Sequence, residues 1–333
     1  MQVQRVHPPA VLRRLAGVFL LLWLVLTITF ALIRLAPGDA ATFLVPPSAT
    51  AADAARIRAE LGLDRSIAVQ YARWTKGVVQ GDLGESFSLR QPVTTALRAA
   101  LPISIGLGTA SLLLTFIIGV PIGMVQAARR GHVIDRTLTV LTTFVYAAPS
   151  FWLALALVAV FTYGAAEWGL PPSMRLPAFG VHAPGLQLHG WASFADLLRH
   201  ALLPVTILTA VGAAGIARFA RSSIADVLSQ DFVRTARAKG ATPRRVYFRH
   251  VLSTVLPALV VLFALSLPGL VAGSIFVETV FAWPGMGRLM VNAIVARDYP
   301  LVMGAALVYA MIVLFANLAG DLALPIVDPR RRA

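Results

Sequence analysis

The sequence contains no cysteine, few charged residues and only two lysines. The absence of cysteine excludes a disulfide framework, a thiolate metal site and a cysteine nucleophile. Charged residues make up 13% of the chain, against roughly 25% in a typical soluble domain, so there is too little polar surface to coat a water-exposed globule. The two lysines, Lys76 and Lys239, follow Thr75 and Ala238, so no Gly-Lys-Ser/Thr phosphate-binding loop is present. The composition therefore argues against a soluble enzyme and against a built-in ATPase.

Long apolar blocks fill most of the chain, which is 58% hydrophobic. A transmembrane helix needs about 20 apolar residues, and six stretches qualify. They predict membrane spans at 15–33, 101–128, 137–163, 201–217, 251–277 and 302–324. The first block could instead be a cleaved signal peptide, but it is longer than a usual signal core, which favours an uncleaved helix. The predicted fold class is an all-α membrane protein with six transmembrane helices.

The charges are distributed unequally between the two sides that these spans define. Segments 1–14, 129–136, 218–250 and the tail from Asp321 carry 17 Lys and Arg against 5 Asp and Glu. The other side carries 12 basic and 10 acidic residues. The positive-inside rule therefore predicts that both termini are cytoplasmic. The predicted organisation is an N-terminal segment with the first helix (1–35), an external excursion (36–100), a core of five helices (101–325) and a cytoplasmic tail (326–333).

The predicted cytoplasmic loop 218–250 is the most informative region. It holds eight basic residues against two acidic ones: Arg218, Arg221, Arg234, Arg237, Lys239, Arg244, Arg245 and Arg249 against Asp226 and Asp231. Ser229 or Asp231 can cap a helix over 231–239, and Gly240 suits the left-handed position that ends it. Thr242 followed by Pro243 then predicts the start of a second helix. The first helix is too short to be stable alone, so either the helices above it or a partner below must hold it.

Charge alone leaves two interpretations of this loop open. Its basic residues could contact anionic lipid headgroups, which attract polybasic segments by about 1 kcal/mol per charge. They could also dock a protein partner. Nucleic-acid binding is disfavoured, because no interleaved aromatic residues or known fold accompany the charges.

The segment from Asp231 to Gly240 closely resembles the cytoplasmic coupling loop, or EAA loop, of binding-protein-dependent ABC importer permeases. Arg234-Thr235-Ala236 occupies the first triplet of the motif and Gly240 its glycine, as in the dipeptide, oligopeptide and nickel group. Further along, Ser253 stands where the general pattern has proline. Other segments resemble the first, or B-type, permease of that group and occur in the same order: 35–39, 58–64, 81–86, 149–153, 278–287 and 328–330.

This resemblance implies a translocation pore of the bacterial inner membrane that is not itself an enzyme. Its partners would be a second homologous permease, two cytoplasmic ATPases that carry ATP and Mg, and an external solute-binding protein, with no nucleic acid. The chain itself would hold no cofactor or metal. The resemblance assigns ATPase coupling to eight residues: Asp231, Arg234, Thr235, Ala236, Arg237, Lys239, Gly240 and Pro243. The cargo stays open between a dipeptide, a longer peptide, a nickel chelate, an opine and a sugar.

Two other classes, an ion-gradient-driven carrier and an intramembrane hydrolase, are disfavoured by the sequence. A proton-coupled carrier needs ionisable side chains within the membrane, and the predicted spans contain none before Asp321. A sodium-coupled carrier is less strongly disfavoured, because Pro268-Gly269 could break the fifth span and expose carbonyl ligands. An intramembrane hydrolase is disfavoured, because Ser274, His200 and His250 fit neither the GxSxG nor the HExxH spacing.

Overall fold

The structure is a computed structural model that describes residues 8–35, 50–60, 62–185, 187–269 and 275–327. It is almost entirely helical, which confirms the predicted all-α class. The first elements are α1 (Pro8–Leu35), α2 (Ala51–Glu60), α3 (Ile67–Gln80), a two-stranded antiparallel hairpin of β1 (Glu85–Ser86) and β2 (Gln91–Pro92), and α4 (Val93–Ala128). Then follow α5 (Val133–Ala147), α6 (Ser150–Val158), a π-helical segment (Ala159–Gly164), α7 (Ala165–Glu167), a 3₁₀ turn (Pro172–Met174) and α8 (Gly190–Leu228).

The remaining described elements lead to the C-terminal helix. They are α9 (Asp231–Ala238), α10 (Pro243–Arg245), a π-helical segment (Val246–Val251), α11 (Leu252–Ser266), α12 (Ile275–Val280), α13 (Met286–Val295) and α14 (Tyr299–Val327). The chain divides into two compact units, one of residues 1–102 with 289–315 and one of residues 103–288 with 316–333.

Five helical stretches among the described residues are long and apolar enough to cross a membrane, judged by length and composition alone. They are Val93–Ala128, Ser150–Glu167, Gly190–Leu228, Pro243–Ser266 and Tyr299–Leu318. The predicted first span, 15–33, lies on α1, whose apolar part Phe19–Leu35 is shorter. The six-span count and the cytoplasmic termini remain predictions.

The predicted third span, 137–163, is not one continuous helix. Helix α5 ends at Ala147, and Ala148 and Pro149 adopt extended backbone angles before α6 begins at Ser150. Proline has no amide hydrogen and disfavours the helical conformation in the preceding residue, so it separates the two helices. The predicted fifth span, 251–277, is also shifted. Its helical run begins at Pro243 and α11 ends at Ser266, directly before Leu267 and Pro268.

The helix that contains the predicted fourth span, 201–217, is much longer than that span. Helix α8 contains 39 residues, so residues 190–200, which lie between two predicted spans, and residues 218–228, predicted as part of the cytoplasmic loop, are also helical. Hydropathy detects only the apolar centre of such a helix, whereas tertiary contacts support its polar ends. The Arg199 guanidinium, for example, donates to the carbonyls of Pro172 and Arg175 at 2.7 Å.

Small residues allow α4 and α8 to pack closely in the second unit. A Cβ atom added at Gly123 would lie 2.5 Å from the Ala217 carbonyl oxygen, and one at Gly119 would lie 2.8 Å from the Ala213 carbonyl oxygen. These glycines are four residues apart and so lie on one face of α4. Glycine pairs at this spacing bring helix backbones together in membrane proteins, where helix association depends on van der Waals packing.

The first unit is organised around α1, α3 and the hairpin. The rings of Phe30, Tyr71 and Trp74 cluster between α1 and α3, and the hydroxyls of Thr27 and Tyr71 are 2.6 Å apart. Helix α2 lies within the predicted external excursion, and Gly62 after it has φ +65°, as expected of a glycine that terminates a helix.

Candidate functional site

The short helix α9 and its glycine turn follow the sequence prediction closely. Helix α9 runs from Asp231 to Ala238, and Gly240 has φ +80°. The Gly240 amide donates to the Arg237 carbonyl at 2.9 Å, and the Ala241 amide donates to the Ala236 carbonyl at 3.1 Å. This pair of bonds is the Schellman motif, in which a left-handed glycine satisfies the last helical carbonyls.

Neither predicted residue caps the N-terminus of α9. Gln230 is the cap residue and makes no side-chain capping bond. The Ser229 hydroxyl donates to the Asp226 carbonyl at 2.7 Å, within the last turn of α8, and is therefore engaged elsewhere. Asp231 is already the first helical residue, and its carboxylate accepts from Arg234 at 3.2 Å.

The second helical run begins as predicted. Thr242 accepts a hydrogen bond from the Arg245 amide at 3.4 Å, and Pro243 occupies the first helical position. The run continues through the π-helical segment into α11. At Ser253, where the family pattern has proline, the hydroxyl donates to the Arg249 carbonyl at 2.6 Å, so the helix continues without interruption.

Val233 anchors α9 to the rest of the second unit. Its side chain is fully buried in a cluster of aliphatic residues from α8 and from the run after Pro243: Ala220, Ile224, Val227, Val246, Val251, Val255 and Leu259. Fully burying a valine contributes about 1.5–3 kcal/mol, a large term for a helix of eight residues. The neighbouring helices therefore hold α9, which is too short to be stable alone, and no partner is needed to keep it in place.

The other side of the segment is exposed and basic. We call the exposed side chains of Arg234, Arg237, Lys239, Arg244 and Arg245 the basic face. Of the other predicted site residues, Asp231, Thr235 and Pro243 are exposed and Ala236 is half-buried. The Arg234–Asp231 ion pair is solvent-exposed, with 74% and 94% of the two side chains accessible. Such a pair contributes little stability, so both charges are available for intermolecular contacts.

Three of the eight basic residues counted in the sequence, Arg218, Arg221 and Arg249, are not part of this face, and the first two support the fold. Arg221 lies on α8 and forms a bidentate ion pair with the buried Asp135 of α5, at 2.8 and 2.9 Å. The hydrogen bonds from Arg221, together with one from the Gly131 amide, hold the pKa of Asp135 well below its usual range despite burial. The Arg218 guanidinium lies 4.9 Å from the centre of the Tyr146 ring. Both arginines thus tie α8 to α5.

A buried carboxylate that the sequence reasoning did not single out lies in the second unit. Glu278 on α12 is fully buried and accepts hydrogen bonds from the Ser104 hydroxyl at 2.7 Å and from the amides of Gly287 and Arg288 at 2.7 and 3.1 Å. The Ser104 hydroxyl in turn accepts from the Met286 amide. These bonds satisfy amides at the start of α13. The sequence signal for this site is the acidic residue that begins the 278–287 motif.

The described residues contain no group of three or more His, Asp or Glu side chains that could hold a metal ion. His182 and His200 both approach Asp196, at 3.1 and 3.4 Å. The contact of His182 connects the segment after Met174 to α8, whereas His200 and Asp196 lie one turn apart on α8. Ser274, considered for a hydrolase, and the 328–330 motif lie outside the described residues, as does most of the 35–39 motif.

Comparison with known proteins identifies the family. Residues 119–333 match the family described as binding-protein-dependent transport system inner membrane component, and residues 9–108 match the N-terminal region of such membrane components. The chain belongs to this family. It is therefore a multi-pass inner-membrane permease subunit of an ABC importer, a class in which ATP hydrolysis takes place on a separate subunit. The importer and non-enzyme predictions are confirmed, and the gradient-driven carrier is excluded.

Curated permeases match the chain over nearly its whole length. The oligopeptide transport system permease protein AppB of Bacillus subtilis is 34% identical over 91% of this chain and 92% of its own. The dipeptide transport system permease protein DppB of Escherichia coli K12 is 33% identical over 97% and 98%. An inward-facing structure of the MetNI methionine ABC transporter aligns with a TM-score of 0.52 at 19% identity, over 71% of this chain and 97% of that one. At this identity it supports the fold alone.

Proposed function

We propose that this permease subunit moves peptides into the cell, together with a second homologous permease that completes the pathway. The observation that carries the proposal is the near-complete alignment with relatives that are named for oligopeptide and dipeptide transport. An external solute-binding protein delivers the peptide, and two cytoplasmic ATPases bind ATP and Mg. In the proposed orientation α9 and both termini face the cytoplasm, because the segments on that side carry most of the positive charge.

The basic face is the proposed docking surface for an ATPase. Two features support this role. The face is positively charged, and Val233 fixes α9 to α8 and to the helical run after Pro243. A displacement of α9 would therefore be transmitted to two long helices, as in rigid-body switching of packed elements. The arginines would orient the docked surface, and the half-buried Ala236 would allow close approach.

Gly240 sets the direction of α9 relative to the helix that follows. Its φ of +80° lies in the left-handed region, and a Cβ added there would meet no atom within 4 Å. Any effect of a substitution therefore arises from backbone strain, which is about 1–2 kcal/mol for a residue other than glycine. We expect Gly240→Val to change the angle of α9 and to uncouple ATP hydrolysis from peptide uptake.

The test is peptide uptake and ATP hydrolysis in the reconstituted complex. Gly81→Val is the matched control, because Gly81 has φ +81°, has equally open space around it and lies in the predicted external segment. Arg234→Ala and Arg237→Ala should weaken ATPase docking without imposing backbone strain. If the basic loop only contacts lipid, Gly240→Val should have little effect, because it changes no charge. Unchanged uptake in Gly240→Val would refute the coupling role of this turn.

A further inference from the structure

Two interruptions in the helices of the second unit border one cavity. The first is the extended step at Ala148–Pro149 between α5 and α6, and the second follows Ser266 at the end of α11. The cavity has a volume of about 320 Å³ and is lined from α4, α6, α8 and α11. This volume lies at the lower end of the range for small-ligand sites, about 300–1,000 Å³.

The cavity lies at the same distance from the ends of two helices. Ser111 lies 17 residues from the end of α4 at Ala128, and Val211 lies 17 residues from the end of α8 at Leu228. At 1.5 Å per residue each distance is about 25 Å. Irregular backbone at such a depth is tolerated where it is buried in protein or lines a water-filled space.

The lining is uncharged and combines hydroxyl groups with aliphatic side chains and glycines. The hydroxyl groups come from Ser111, Thr115, Ser150 and Ser266, and none of the described lining residues is ionisable. Ser111 and Ser266 donate to the carbonyls of Leu107 and Leu262 in their own helices, which leaves their oxygens able to accept. Thr115 and Ser150 form no side-chain hydrogen bond within the described part of the chain, although Thr115 is only 6% exposed.

A second, larger cavity in the same unit differs in character. It has a volume of about 440 Å³ and is lined mostly by aliphatic side chains of α4, α5 and α8, such as Ile118, Leu141 and Val205. Aliphatic walls suit lipid tails or an apolar helix and offer almost nothing to a polar solute. The two cavities are therefore not equivalent candidates for a transport path.

We infer that the hydroxyl-lined cavity is a contact site for the main chain of the transported peptide. The inference rests on the proposed peptide-transport function and assigns its substrate-contact residues as Thr115, Ser150 and Ser266. Hydroxyls exchange hydrogen bonds with main-chain amides and carbonyls, which every peptide carries. The absence of a charged lining residue means that no peptide side chain is selected or trapped by charge. Gly212 keeps the site open, because a Cβ added there would lie 2.6 Å from the Thr115 hydroxyl.

The natural absence of cysteine makes this inference directly testable. Ser150→Cys and Ser266→Cys are made singly, and the complex is reconstituted with its partner subunits and treated with a charged, membrane-impermeant thiol reagent. We expect both cysteines to react. With a transported peptide at about ten times its dissociation constant, mass action leaves roughly a tenth of the sites free, so the reaction should slow about tenfold.

The matched controls are Phe151→Cys and Leu265→Cys, which lie next to the two test positions but carry exposed apolar side chains away from the cavity. These cysteines should show no peptide protection. Cysteines at 150 and 266 that react no faster than the controls, or whose reaction the peptide leaves unchanged, would overturn the inference.

Uptake measured in the same vesicles separates this inference from the proposed function. Peptide uptake without protection would refute the cavity while leaving the proposed function intact. Uptake of a different solute, with no peptide uptake, would refute both. Thr115→Val provides a second readout, because it removes the hydroxyl and keeps the shape. We expect it to raise the KM for peptide uptake more than it lowers kcat, and an unchanged KM would contradict the contact.

Discussion

At the scale of single residues, buried carboxylates connect distant parts of the chain. Asp135, Glu278 and Asp298 are at most 3% exposed among the described residues. In the first unit, Asp298 accepts hydrogen bonds from the hydroxyls of Ser86 and Ser88 at 2.6 and 2.7 Å and thus holds the hairpin. A buried carboxylate is tolerated only when it is well hydrogen-bonded. Each is therefore expected to be sensitive to loss of its partners.

The Arg221–Asp135 pair leads to a prediction about stability and pH. Asp135→Asn should lower the free energy of unfolding by about 1–3 kcal/mol, because it leaves the Arg221 guanidinium without its counter-charge. The double variant Asp135→Asn/Arg221→Gln should lose less than the sum of the two single variants, because no buried charge is then left unpaired.

The pH dependence of this pair follows from the lowered pKa of Asp135. A carboxylate whose pKa is depressed on folding contributes stability above its unfolded pKa and loses it as the pH falls through the folded value. The stability difference between the wild type and Asp135→Asn should therefore stay constant from about pH 8 to about pH 5 and shrink only in strong acid. Thermal unfolding of the purified protein across this range measures it, and a difference that vanished near neutral pH would contradict the assignment.

The Glu278 site gives a prediction about glycine. Gly285→Ala should destabilise the protein by about 1–3 kcal/mol through overpacking, because the added Cβ would clash with the Ser104 hydroxyl and the Glu278 carboxylate. Gly106→Ala is the control, since its Cβ meets nothing within 4 Å and α4 should gain about 0.5–1 kcal/mol from it. Thermal unfolding compares the two variants, and equal effects would argue against a tightly packed Glu278 site.

At the scale of elements, α9 depends on its surroundings. An isolated helix of this length would not persist in water, and its contact with the core is made by Val233. The exposed residues of α9 therefore present positive charge to solvent, whereas the core around Val233 fixes the position of the helix.

This separation predicts the effect of changing the anchor alone. Val233→Ser should raise amide hydrogen exchange in α9 and reduce ATP-driven peptide uptake, although every residue of the basic face is retained. Ala238→Ser, an exposed position on the same helix, is the matched control and should leave both measurements near wild type. Normal coupling in Val233→Ser, despite faster exchange, would mean that a docked partner, rather than the core, holds α9.

At the scale of the whole molecule, the distribution of charge predicts the orientation in the membrane. Reporter tags at either terminus and at Arg130 should be cytoplasmic, whereas tags near Asp53 and Gln187 should be external. The Arg130 site serves as an internal check, because its segment is short and strongly basic. An external C-terminal tag would show that the number of spans is not six.

Local signals in the sequence determined the membrane class, the family and the turn after α9. The length of the apolar blocks predicts membrane helices. Gly240, Thr242 and Pro243 act on the backbone within one or two turns, so their effect can be predicted without knowledge of distant residues. Pro149 is a comparable local signal for the interruption at Ala148–Pro149. Hydropathy is nevertheless continuous over 137–163, and hydropathy alone predicts a single span there. Helix ends were the least predictable feature, because the polar ends of α8 are supported by contacts outside the helix.

Only the tertiary structure decided which charged residues face solvent and which support the fold. Arg221 and Arg234 are equivalent basic residues in the sequence, yet one is paired with Asp135 and the other is exposed. The Glu278–Ser104 bond joins residues 174 positions apart, and the hydroxyls of the cavity come from three separate helices. The physical reason is that burial and hydrogen bonding depend on which helix faces pack together, and helix packing is set by the whole chain rather than by local residue order.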